Sequence, residues 1–206
     1  TINNAYGGNV YPRTHKSDRK DLLKFGRNDA VGTSSYSTLM TLPTGELHET
    51  LVSTNIIDTI SSSSASDTHT VTIEGNTIDA NGDFTFTVQT AILNGQSKVV
   101  LDTPLARVTR IYNTSSVDTV GAMYIYEDDT VTAGVPQTAI KIHLSTVAGD
   151  NQSQKAATTI SSTQWWVINA FYADVLEKTS TFISVKLEVR LKGKVFRPTL
   201  ELGAST

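Results

Sequence analysis

The chain of 206 residues contains no cysteine. That excludes a disulfide scaffold, a cysteine-ligated zinc site and a thiol nucleophile, and leaves the redox compartment open. Charged residues make up only 18% of it, below ordinary usage, and there are five prolines. No run approaches the roughly 18 consecutive apolar residues of a membrane span, so no membrane partner is expected. The net charge of −3 lacks the basic excess of a general nucleic-acid binder, so no nucleic acid is expected either. No signal peptide is visible, and the chain opens on Thr1 rather than Met, which leaves room for processing. What is abundant is Ser and Thr, together roughly a quarter of the chain, well above ordinary usage. Thr favours strands and turns, Ser favours turns, and few charges suit sheet-rich surfaces. A β domain of this length hides roughly 70% of its unfolded surface and needs no metal or disulfide to fold.

Residues 1–45 read as an extended N-terminal arm. Asn3, Asn4, Gly7, Gly8, Asn9, Pro12, Gly26, Asn28, Gly32 and Ser34 punctuate it too often for a regular element. The stretch from Arg13 to Arg27 is basic, with Arg13, Lys16, Arg19, Lys20, Lys24 and Arg27 against Asp18 and Asp21. A short helical turn over Ser17–Phe25, capped by Ser17, fits locally. Tyr6, Tyr11, Phe25 and Tyr36 are the aromatic anchors an arm needs to order on a neighbouring subunit.

Residues 46–206 read as a β body, because from about Leu47 the hydropathy repeats every two residues. Val71 and Ile73 share a face within His69–Glu74. Within Asp83–Thr90 the expected inward set is Phe84, Phe86 and Val88, with Thr85, Thr87 and Gln89 outward. Thr138–Leu144 places Ile140, Ile142 and Leu144 on one face and Lys141 and His143 on the other. Thr181–Lys192 alternates most clearly. Shorter candidates are Asn55–Ile60, Lys98–Leu101, Arg107–Asn113, Ala122–Glu127 and Lys194–Glu201. Asn81-Gly82, Asn94-Gly95 and Gly193 mark turns between them, and Pro104, Pro136 and Pro198 fall at strand starts or edges. The pattern predicts an all-β fold, an antiparallel β-sandwich of jelly-roll type. Gln164–Glu177 is apolar on both faces. It reads as a strand covered on both sides or as an oligomer interface built on Trp165, Trp166, Phe171 and Tyr172, with a homotrimer expected.

No catalytic constellation stands out. His15, His48, His69 and His143 are scattered, the last two on outward positions of predicted strands. No Gly-x-Ser-x-Gly elbow, phosphate-binding glycine loop or His-x-x-x-His spacing occurs. Asp79, Asn81 and Asp83 have the spacing that begins a calcium loop, but Gly82 falls in the wrong place, no Glu follows at the expected distance, and a hairpin turn explains the same residues. Glu127, Asp128 and Asp129 read as a solvated turn, with a cation site as the alternative. The run Ser61–Ser66 reads as a low-complexity linker or loop with Asp67 as a turn residue. The expectation is therefore a non-enzymatic protein without cofactor or metal.

The body from about Ser61 to Leu202 resembles a family of small virion proteins of tailed bacteriophages. The residues that carry the resemblance begin with Ser61-Ser62-Ser63-Ser64-Ala65-Ser66-Asp67-Thr68, Val71-Thr72-Ile73-Glu74-Gly75 and Leu93-Asn94-Gly95. Val108-Thr109-Arg110-Ile111-Tyr112-Asn113 and Gly121-Ala122-Met123-Tyr124-Ile125-Tyr126 continue it. Trp165-Trp166-Val167, Phe171-Tyr172-Ala173, Lys178-Thr179-Ser180, Val189-Arg190-Leu191 and Phe196-Arg197 complete it. The resemblance implies a structural role, a capsid decoration or cement protein on the virion surface, with the major capsid protein as partner and trimers as the assembly. A tail, head-fibre or connector component that binds a host surface or glycan is the alternative. The arm lies outside the matched part. Its docking set, Tyr6, Tyr11, Arg13, Lys16, Arg19, Lys20 and Phe25, rests on its own chemistry.

Overall fold

The computed structural model describes residues 52–155, 158–159, 182–189 and 197–205. The chain divides into two compact units, Thr1–Gln164 and Trp165–Thr206, each described by itself.

The first unit is an antiparallel β-sandwich of two four-stranded sheets. One sheet has the order β4 (Val99–Leu105), β1 (Ile57–Ser62), β6 (Met123–Glu127), β9 (Ile142–Ser145). The other has β10 (Gln152–Gln154), β5 (Arg107–Asn113), β2 (Thr70–Ile78), β3 (Phe84–Ile92). A small hairpin of β7 (Val131–Thr132) and β8 (Val135–Pro136) is inserted between β6 and β9. The sandwich and its antiparallel pairing match the sequence expectation. The jelly-roll wrap is not established by this order, in which β2 and β3 are joined as a hairpin within one sheet. In the second unit, β11 (Phe182–Val189) and β12 (Arg197–Ser205) pair antiparallel, with a register shift between Leu187 and Glu188.

One apolar core lies between the two sheets. Ile57 and Ile60 from β1, Val71 and Ile73 from β2, Leu101 and Leu105 from β4, Val108 and Ile111 from β5, Met123 and Ile125 from β6, and Leu144 from β9 build it. Ile57 and Ile60 are three apart, an odd spacing for a strand. A register shift between Ile57 and Thr59 accounts for it, because a bulge rotates the chain and returns both residues to the same face. Strand β6 is apolar on both faces. Met123 and Ile125 enter the main core, while Tyr124 and Tyr126 join a second cluster with Ala122 and Ile142, covered by Val131 and Val135 of the β7–β8 hairpin. A strand apolar on both sides needs cover on both sides, and the inserted hairpin supplies the second.

Two expectations about facing are corrected here. On β3 the faces are reversed: Ala91 is buried, whereas Phe86 and Val88 are 57% and 55% exposed. The reason is register. Val71 lies opposite Ala91 and Ile73 opposite Gln89, so the odd residues of β3 share the core face and the even ones share the outer face with Thr72, Glu74 and Asn76. The second correction concerns Thr138–Leu144. Ala139–Lys141 forms a 3₁₀ turn, with Ile140 exposed, and the strand begins only at Ile142.

Gln89 has a specific task on the core side. Its Nε2 donates to the carbonyl of Thr103 at 2.7 Å, and its Oε1 accepts from the Thr103 N–H at 3.0 Å. The side-chain amide thus pairs with the edge of β4 as a neighbouring strand would and joins the two sheets where the sandwich is open. Replacing it with leucine leaves both Thr103 groups unpaired in a half-buried seam. Gln89→Leu is expected to cost about 2 kcal/mol, measured by urea unfolding, while Thr87→Val, on the same strand, stays near wild type.

Candidate functional site

The serine run is partly the loop expected of it, since residues 63–66 lead from β1 toward β2, but its first two residues are strand. Ser61 and Ser62 close strand β1 and are fully buried. Buried hydroxyls need partners, and these have them. Ser61 Oγ donates to the Gly134 carbonyl at 2.8 Å, and Ser62 Oγ donates to Asp67 Oδ2 at 2.5 Å. Ser63 Oγ accepts from the Ala122 N–H at 2.9 Å, and Ser62 Oγ accepts from the Ser64 N–H at 3.1 Å. Small hydroxylated side chains suit this place because the chain turns sharply beneath other loops. Gly134 adopts φ +77°, and a Cβ there would overlap the Ser62 carbonyl.

Asp67 is the centre of the cluster. It is 1% exposed. Beyond Ser62, its carboxylate accepts from the Val120 N–H at 2.8 Å and the Gly121 N–H at 3.0 Å. Its own carbonyl accepts from the Gly95 N–H at 2.8 Å. Burial raises its pKa, but the hydrogen bonds from Ser62, Val120 and Gly121, with the nearby His69, outweigh that and hold the carboxyl below its ordinary 3.8. His69, expected at the surface, is half-buried, with its Nε2 enclosed.

The acidic turns are committed elsewhere. Asp79 Oδ1 accepts from the N–H groups of Asn81 at 2.9 Å and Asp83 at 2.8 Å, and Gly82 follows at φ 80°. These bonds close the β2–β3 hairpin and lower the Asp79 pKa, the Asp83 N–H most. Asp128 takes Lys98 Nζ at 2.7 Å, and the Asp128 carbonyl takes Lys141 Nζ at 2.6 Å. Asp129 takes the Thr138 N–H at 2.7 Å. Among the described residues no group of three or more His, Asp or Glu side chains is arranged to hold a metal ion.

His143, expected on an outward position, is buried at 3% exposed. Its Nε2 lies 2.8 Å from Glu127 Oε1, and since the carboxylate accepts, Nε2 carries the proton. Burial pushes the imidazole below its ordinary 6.5; the Glu127 hydrogen bond opposes this, while Lys155 and Arg107 add to it. The alternating reading fails because all four residues of β9 are buried, and a register shift sets Leu144 against Ile125 in the main core but Ile142 against Tyr126 in the second cluster, so the two do not share the one face expected of them.

No family model, no curated protein and no solved structure matches this chain. The residues singled out for docking, Tyr6, Tyr11, Arg13, Lys16, Arg19, Lys20 and Phe25, lie outside the described residues, as do the expected interface residues Trp165, Trp166, Phe171 and Tyr172.

The site that sequence reasoning missed is the outer face of the β10-β5-β2-β3 sheet. Arg110 stacks over the Tyr112 ring at 4.3 Å to the centroid, reaches Glu74 at 3.6 Å and donates to Gln152 Oε1 at 3.0 Å. Beside this polar half, β3 presents Phe86, Val88 and Ile92 to solvent. A two-residue Asn81-Gly82 turn would set Phe86 against Thr77 and Val88 against Gly75. The five-residue connection from Asp79 to Asp83 shifts the register by one and pairs Phe86 with Asn76 and Val88 with Glu74, so the turn signal alone could not find this face.

Two acid limbs are expected in the stability profile. The folded His143 has a pKa below 6.5, so the unfolded chain takes up that proton first. Its contribution is complete above about pH 6.5 and shrinks as pH falls toward the folded value. Asp67 contributes fully above about pH 3.8 and loses that contribution as pH falls through its lower folded pKa. In urea melts against pH, His143→Gln should flatten the upper limb. Asp67→Ala should cost about 3 kcal/mol at neutral pH, because it strands the Val120 and Gly121 donors.

Proposed function

We propose that this protein is a structural component of a tailed-phage virion, a decoration or cement protein that binds the assembled shell and carries no catalytic activity. The observation that carries the reading is the destination of the ionisable side chains. Asp67, Asp79, Asp128, Asp129 and His143 are each held by a named partner within the sandwich. Acidic and imidazole groups used in this way build a rigid platform. The resemblance of the body to small virion proteins points the same way.

In this mechanism the body is the mass that is clamped and the basic arm is the clamp. Arg13, Lys16, Arg19 and Lys20 meet acidic groups of the major capsid protein and speed the encounter, while Tyr6 and Tyr11 fill apolar pockets and set the residence time. A ligand that binds only the assembled shell stabilises it by mass action.

The test is copy number and truncation together. Quantitative mass spectrometry of purified particles should give a shell-wide copy number rather than the dozen or so, at most, of a tail or portal ring. Deleting residues 1–30 should leave the melting of the free body unchanged and abolish binding to shells that lack the protein. Undiminished binding by the truncated chain would overturn the arm as the clamp; a tail-like copy number would overturn the shell assignment.

A further inference from the structure

The four sheet edges of the sandwich are treated very differently. Strands β10 and β9 are short edges of three and four residues. The β4 edge carries Asp102 and Pro104, and the Thr103 backbone is taken by the Gln89 side chain. These are the ordinary ways of keeping an edge from pairing with another chain. Strand β3 has none of them. It runs nine residues, Phe84–Ile92, without a charge or a proline, and pairs with β2 throughout without a register shift.

The direction of its free hydrogen-bonding groups follows from the ladder. Leu93 N–H donates to the His69 carbonyl and Asp79 N–H to the Asp83 carbonyl, both at 3.0 Å. In an antiparallel pair such bonded pairs recur at every second residue. The odd residues of β3 therefore bond to β2. The N–H and C=O groups of Phe84, Phe86, Val88, Thr90 and Ile92 point to the other edge, which no strand among the described residues occupies. The same even residues carry the exposed apolar side chains: Phe86 at 57%, Val88 at 55% and Ile92 at 65%.

We propose that β3 is a self-association edge: a second copy of this chain pairs with it antiparallel about a two-fold axis at Val88. The strand is complementary to itself. Centred on Val88, the pairing sets Val88 against Val88 of the second copy, Phe86 against its Thr90 and Phe84 against its Ile92. Every edge-directed backbone group of one copy then meets an edge-directed group of the other. No like charges face each other, because the strand has none. The apolar stripes of the two copies merge into one band on the shared outer face, and the sheets become one eight-stranded sheet in the order β10-β5-β2-β3 followed by its reverse. The contact is isologous, so it consumes both edges and closes at two copies. It does not depend on the virion reading, nor on the region of Trp165 and Tyr172.

The test is the oligomeric state of the full chain at micromolar concentration, by sedimentation equilibrium. Wild type should run at about twice 22.3 kDa. Val88→Pro deletes an N–H that points away from β2, which an edge strand tolerates, and Val88→Lys sets two like charges together at the axis. Each should weaken association by about 100-fold with unchanged circular dichroism and melting. Should Val88→Pro fail to fold, Val88→Lys decides, since its side chain stands in solvent. Hydrogen exchange supplies a second readout. The amides of Phe86, Val88 and Thr90 should be protected in concentrated solution and exchange on dilution, while those of Thr87 and Gln89 stay protected in both. A wild-type monomer overturns the proposal. So does any oligomer that both variants leave intact, or β3 amides that become protected only when another protein is added.

Discussion

The hydrogen bonds gathered by the Asp67 carboxylate hold the sandwich in register. A buried carboxylate is costly unless donors replace the water it gives up. Here the Ser62 hydroxyl and the backbone N–H groups of Val120 and Gly121 do so. The donors come from different parts of the chain: the end of β1 and the loop before β6. The Asp67 carbonyl adds the turn after β3 through Gly95. One residue therefore joins three connections of the sandwich, two through its side chain and one through its backbone carbonyl. Strand β1 lies between β4 and β6, so fixing its end also fixes where both neighbours begin to pair.

From that anchor the rest of the architecture follows as a problem of covering. The two sheets cover each other's inner faces and make one core. Strand β6, apolar on both sides, is covered a second time by the β7–β8 hairpin. The exposed Asp128 is paired with Lys98, and the largely enclosed Asp129 side chain with Lys141. The seam between β3 and β4 is bridged by Gln89. Among the described residues, what this covering leaves over is the outer side of β3, where exposed apolar side chains coincide with backbone groups that no described strand pairs. In a chain with so few charges, a charge-free strand of nine residues at a sheet edge sets the surface chemistry of that side.

Much of the fold was legible in the residues themselves. The two-residue period located β2, β3, β5 and β6 to within a few positions, and Asn81-Gly82 marked the hairpin between β2 and β3. The acidic turn is legible as a turn, and the structure shows why it holds: Lys98, just before β4, and Lys141, at the end of the 3₁₀ turn, bond to it. The misreadings share one cause. Phe84, Phe86 and Val88 were assigned inward because apolar residues usually are, yet Ala91 and Gln89 take the inner face. The serine run reads as linker or loop from its composition, which holds for residues 63–66 but not for Ser61 and Ser62, which are wholly buried in β1. His143 reads as outward because alternation implies one wet face, whereas every residue of β9 is buried.

Strand positions, turn positions and the all-β class are written in the sequence because they depend on neighbours one or two residues away: side-chain alternation, β-branched content and the backbone freedom of Asn and Gly. Which face of a strand turns inward depends on the partner strand's register, and whether a hydroxyl or carboxylate can be buried depends on donors many residues distant. Val120 and Gly121 are more than fifty positions from the carboxylate they satisfy. No local pattern reports such a pairing. Only the folded chain decided that Ser61, Ser62 and Asp67 would be buried and that Phe86, Val88 and Ile92 would be surface.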